Sequence, residues 1–174
     1  MSAQDRTYIL EARSTDDDVW VLIEHDGQPP PVPWLLPDGS DVFQLIDDGH
    51  TERLGFVPRF VHANRGTRVG DLLWTTGDTK IASRRFLEAL ASIEATGYRT
   101  FPVDVVDREG RALGDFAGLA VEDGDPGKDL HFSNGAQFWA FAASGRVVDA
   151  LTRAGVTDFS LAPRRETQQD TTSP

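Results

Sequence analysis

The chain has 174 residues, enough for one domain with a substantial core, and carries 28 acidic against 17 basic side chains, a net charge of −11. That balance argues against a surface built to follow a nucleic acid backbone or an anionic membrane, both of which call for a basic face. With no cysteine there is no disulfide and no thiolate metal site, which fits a reducing compartment, and the cytoplasm is the expected location. The first residues show no basic region followed by an apolar run, so neither a signal peptide nor a membrane span is expected. The charge is uneven. Residues 1–60 hold 12 acids against 4 bases, 61–121 hold 8 against 8, and 122–174 hold 8 against 5.

Tyr8–Ala12 and Val19–Ile23 read as strands, the second a nearly unbroken apolar run, with Ser14–Asp18 turning between them. Asp16, Asp17 and Asp18 therefore fall on a loop where three carboxylates stay hydrated. The glycine and distal glutamate of a calcium loop are missing, so no metal is expected there. His25–Asp41 contains five prolines and predicts a long irregular loop, from which Trp34, Leu35 and Leu36 either pack onto the domain or face a partner. Val42–Ile46 is expected as a short strand and residues 47–50 as a turn. Leu54–Phe60 is expected as an edge strand interrupted by Pro58. Asp47, Asp48, His50 and Glu52 form the densest group of potential ligands or acid and base residues. One local cluster supplies too few converging groups for a zinc or two-carboxylate site, and alternation would bring only Asp48, His50 and Glu52 to one side of an extended segment.

Leu72, Leu73 and Trp74 predict a buried segment followed by a turn over 75–78. Ser83 has the character of an N-cap: its hydroxyl can accept a free amide of the first turn of a helix whose apolar face is Phe86, Leu90 and Ile93. Gly97 stops that helix, and Tyr98–Val106 follows as a strand with Phe101, Val103 and Val105 on one face. Phe116–Val121 returns antiparallel to it after the turn 107–110, its small residues allowing close packing. The loop 122–129 contains Pro-Gly-Lys but lacks the spacing, the hydroxyl residue and the following helix of a phosphate loop. Leu130–Phe132 and Gln137–Ala142 are strand candidates, with Phe138, Trp139 and Phe141 assigned to the core. A second helix, Arg146–Ala154, is capped by Ser144 and stopped by Gly155, and Val156–Leu161 is the last strand. Residues 163–174 have no apolar periodicity and are expected to be disordered.

The chain repeats itself. Ser83, Arg85 and Phe86–Leu90 match Ser144, Arg146 and Val147–Leu151, and after a three-residue deletion Gly97, Tyr98 and Phe101 match Gly155, Val156 and Phe159. These elements predict a single α+β domain over residues 1–162, with a mixed or antiparallel sheet and two main helices on one face. An arginine in the first turn opposes the helix dipole, so its recurrence points to an ion pair; free amides beside an arginine also suit a small anion. For an enzyme, His25, His50, His62 and His131 are scattered and no serine lies in a nucleophile elbow, so neither catalytic residues nor a cofactor are expected.

The run IASRRFLEAL followed by GYRTFPVDVVDREG resembles the core motif of bacterial immunity proteins associated with polymorphic toxin systems. The features that carry the likeness are Ser83, Arg85, the Leu87 and Leu90 stripe, and Phe101, Pro102 and Val103. The second copy, ASGRVVDALTRAGVTDFSLAP, is similar to the C-terminal part of such proteins, so the likeness spans about residues 71–162. It implies a non-catalytic cytoplasmic inhibitor of a cognate toxin. Joined to the excess acid in residues 1–60, it makes Asp16, Asp17, Asp18, Trp34, Asp47 and Asp48 the candidate contacts to a basic partner protein.

Overall fold

The computed structural model describes residues 6–24, 35–75, 78–122, 125–132, 140–156 and 158–163. Its strands are β1 (Thr7–Ala12), β2 (Trp20–Ile23), β3 (Arg59–His62), β4 (Leu72–Thr75), β5 (Lys80–Ser83), β6 (Tyr98–Pro102), β7 (Asp104–Val106), β8 (Phe116–Val121), β9 (Leu130–His131), β10 (Ala140–Ser144) and β11 (Phe159–Pro163). The helices are α1 (Val42–Asp47), α2 (Arg84–Ser92) and α3 (Gly145–Arg153), with a 3-10 turn at Thr51–Arg53. The architecture is α+β. One antiparallel sheet has the order β11-β1-β10-β9, and a mixed seven-stranded sheet has the order β6-β8-β5-β4-β2-β3-β7. Within the second, β2 runs parallel to β4 and β3 parallel to β7, and the remaining pairs are antiparallel.

The two end strands of the seven-stranded sheet, β6 and β7, are separated in the chain by Val103 alone. The sheet must therefore curl until its ends meet. The strand expected over Tyr98–Val106 is thus real but broken: its first half pairs with β8, its second half with β3. Inside the curl lies a core of Val19, Val21, Val42, Leu45, Ile46, Leu54, Phe60, Leu73, Ile81, Phe101, Val105 and Ala120. A second core joins the outer face of the same sheet to the four-stranded sheet and to α2 and α3, which pack on each other. Pleat alternation sends Leu72, Ala82, Leu119 and Val121 to this outer core and Leu73, Ile81 and Ala120 to the inner one. Strands β4, β5 and β8 are consequently buried on both faces, which is why their sequences are apolar runs instead of alternations.

Three expectations change. Val42–Ile46 is helix, not strand: the Asp41 carboxylate accepts the Gln44 amide at 3.0 Å, and Val42, Leu45 and Ile46, at i, i+3 and i+4, all reach the inner core. A five-residue apolar run does not by its period separate a buried strand from a short helix. Leu54–Phe60 is not a strand; Leu54 closes the 3-10 turn and pairing begins only at Arg59, after the proline. The second helix starts at Gly145, and Ser144 occupies its cap position without a side-chain bond to the helix amides. The expected aromatic residues Phe138 and Trp139, Trp34, and the tail beyond Pro163 lie outside the described residues.

Gly118 carries the close packing anticipated for β8, since a Cβ built on it would lie 2.1 Å from Cε2 of Phe101, its cross-strand neighbour. Gly118→Ala should therefore destabilise the protein by about 2 kcal/mol, because the ring must leave its place in the inner core. Trimming the ring, in the double variant with Phe101→Leu, should cost less than the sum of the two single changes; urea midpoints for the four proteins measure this coupling.

Candidate functional site

The repeated helix starts are built on two buried carboxylates. Asp71, just before β4, accepts the Ser83 hydroxyl at 2.5 Å and Nε of Arg85 at 3.2 Å, while its other oxygen takes the Arg85 Nη2. Its carbonyl accepts the Ser83 amide at 2.7 Å. Asp129, just before β9, repeats the arrangement: it accepts the Ser144 hydroxyl at 2.8 Å, lies 3.6 Å from Nε of Arg146, and its carbonyl takes the Ser144 amide at 2.8 Å. Each carboxylate thus ties the start of a strand to the start of the helix that follows the next strand. The serine and arginine that could have held an external anion are turned to the protein's own acids. In the first copy the serine still caps, accepting the Phe86 amide at 3.2 Å; in the second its hydroxyl serves Asp129.

The copies also hold each other. Asp129 accepts both the amide and hydroxyl of Thr96, at 3.1 and 3.2 Å, and Arg146 donates to the carbonyl of Ile93 at the end of α2, where a cation suits the helix dipole. Gly97 makes this junction possible: it sits at φ +88°, and a Cβ there would be 1.9 Å from the carbonyl oxygen of Leu130.

The five candidate partner contacts among the described residues do not form one patch. Asp18 is 4% exposed and paired with Arg68. Burial alone would raise its pKa, but the Thr15 hydroxyl and amide and the Arg68 guanidinium outweigh it and hold the carboxyl below its ordinary value. This loop is clasped from residues 65–68: Asp17 accepts the amides of Thr67 and Arg68 through its carbonyl, and a Cβ on Gly66 would meet the carbonyl oxygen of Asp18. Asp16 and Asp17 are exposed, Asp16 meeting Arg65 at 2.8 Å. Arg65 also lies 3.9 Å over the ring of Trp20, which stacks on Trp74 with centroids 3.8 Å apart. Asp47 is elsewhere, beyond the far end of β4, half-buried and bonded by the Thr79 hydroxyl. Asp48 is exposed beside it and accepts from Gln44 at 2.9 Å. Trp34 lies outside the described residues.

Asp48, His50 and Glu52 do not share the side of an extended segment, because Asp48 ends α1 and His50 begins the 3-10 turn. His50 Nδ1 is 3.3 Å from Arg99 and 3.5 Å from Glu52. Sequence reading missed Lys80, a 4% exposed lysine over the Phe132 ring. Burial pulls its pKa down to about 8 against the pull of Asp78 and Asp47, while burial pushes Asp47 up to about 6. It also missed Asp71 and Asp129. The signal was present, since extending the repeat backwards, with three residues inserted in the second copy, aligns Asp71-Leu72 with Asp129-Leu130.

No protein-family model matches the chain, and no curated protein matches it.

Two measurements check this description. Asp71→Ala and Asp129→Ala should each cost about 2 kcal/mol, because each leaves a part-buried serine hydroxyl and a half-exposed arginine without their acid, whereas Ser83→Ala should cost about 1 kcal/mol; denaturant midpoints at constant slope give the comparison. For Lys80 the folded pKa of about 8 lies below the ordinary 10.5, so the unfolded chain binds more protons between these values. The stability of wild type relative to Lys80→Met should rise from pH 8 to 10.5, by up to about 3 kcal/mol, and should be flat below pH 7 once Asp47 is also replaced by Asn.

Proposed function

We propose that this chain is a non-catalytic immunity protein of the bacterial cytoplasm that binds and neutralises a basic toxin domain. The observation that carries the reading is where the acid sits. The buried carboxylates Asp18, Asp71 and Asp129 are committed to arginines inside the fold, and Asp47 to Thr79. The first sixty residues nevertheless keep exposed carboxylates at Asp16, Asp17, Asp41, Asp48 and Glu52. Such groups are hydrated and cheap to present, and they steer an oppositely charged partner while suppressing like-charged ones. The motif likeness of residues 71–162 supplies the class of partner.

This reading separates acids that act on a partner from acids that hold the fold. Asp16→Asn, Asp17→Asn and Asp48→Asn together should slow association with the product of the adjacent reading frame by about three- to tenfold at low ionic strength. The effect should shrink in high salt, with dissociation and thermal stability nearly unchanged. Coexpression of the wild-type chain should rescue growth of cells making that product. An adjacent product that neither copurifies with the chain nor is neutralised by it would overturn the reading.

A further inference from the structure

Beside the end strand β6 lies an open groove of about 430 Å³ walled by Gly49, Thr51, Glu52 and residues 55–57 on one side and by Thr100, Phe101 and Pro102 on the other. Its apolar lining is Phe56, Val57, Pro102 and the largely buried Phe101, and Val57 is 46% exposed, one of the larger apolar side chains that the described surface shows to solvent. The wall is low at Gly55, where a Cβ would meet nothing within 4 Å. Strand β6 has β8 as its ladder neighbour on one side; on the other, no strand among the described residues pairs with it, because the chain bends at Val103 before its next stretch joins β3. Thr100 faces both this groove and a second one of about 330 Å³, formed with Leu87, Tyr98 and Phe116, so recesses flank the strand on both sides.

Charge selects the occupant. Glu52 lines the groove with its side chain 69% exposed, Asp48 precedes its wall residue Gly49, and exposed Asp104 follows two residues after Pro102. Of the neighbouring cations, Arg99 is turned to His50 in the adjoining cleft, and Arg53 is committed to Asp38 and Ser40. An extended segment laid along an end strand presents alternate side chains to opposite sides, so one set enters apolar recesses and the flanking set meets the rim. We propose that β6 and its groove are the docking site for an extended segment of a protein partner in which apolar residues alternate with lysine or arginine. This rests on the immunity reading for the identity of the partner, but the recognition chemistry is set by the groove.

The test uses the full chain, isotope-labelled, and a short synthetic peptide alternating lysine with valine, with a glutamate–valine peptide as control. Amide shifts clustered at Gly55, Val57 and Thr100 on adding the basic peptide are expected, with the acidic peptide silent. Val57→Glu and Glu52→Lys, both on exposed side chains, should each weaken binding at least about tenfold, while Asp16→Asn with Asp17→Asn should leave it within about twofold. Shifts that are absent, scattered, equal for both peptides or indifferent to the groove variants would overturn the docking site. The same variants assayed against the adjacent gene product keep the two readings apart: capture that survives Val57→Glu and Glu52→Lys removes the groove and leaves the immunity reading, whereas peptide binding without capture does the reverse.

Discussion

An aspartate whose carboxylate meets a serine hydroxyl and an arginine while its main-chain carbonyl accepts the amide of the same serine is the constraint on which the rest of this molecule depends. It occurs twice, at Asp71 and Asp129. Each fixes how a strand pair hands the chain to a helix, and hence the direction in which α2 and α3 leave their sheets. A buried carboxylate is costly unless its lone pairs are met, and here hydroxyl, guanidinium and, for Asp129, the Thr96 amide meet them. The pair also explains why arginine stands in the first turn of two helices, where the dipole alone disfavours it.

The copies have diverged around this shared device. In the first, the serine both caps the helix and serves the aspartate. In the second, the cap bond is absent, while the arginine reaches across to the end of the first helix. One motif has thus been used once for local capping and once for joining two units.

What the sequence made legible follows from the range of the interactions. The two longer helices, their glycine stops and the small residues of β8 are local properties, and period and capping residues expose them. The helix at Val42–Asp47 was hidden because six residues are too few for a period to show, and its cap, Asp41, was absorbed into the preceding proline-rich loop. Asp71 and Asp129 were passed over because their partners lie 12 and 15 residues away, across a strand pair. The acidic candidates divide the same way. Asp16, Asp17 and Asp48 are surface charges as their surroundings suggested, but Asp18 is drawn into the fold by Arg68, 50 residues on, which no local pattern reveals.

The three strands with apolar residues on both faces have a consequence for strand pairing itself. On β5 the successive residues Ile81 and Ala82 serve opposite cores, and on β8 Leu119 and Ala120 do the same. A slip of one residue would not expose apolar surface to water, the usual penalty for misregister. It would instead exchange a large side chain for a small one in each core, overfilling one and leaving a void in the other. Alignment of β5 and β8 is therefore policed by volume rather than by polarity, and a compensating mutation in one core cannot relieve the error in its neighbour.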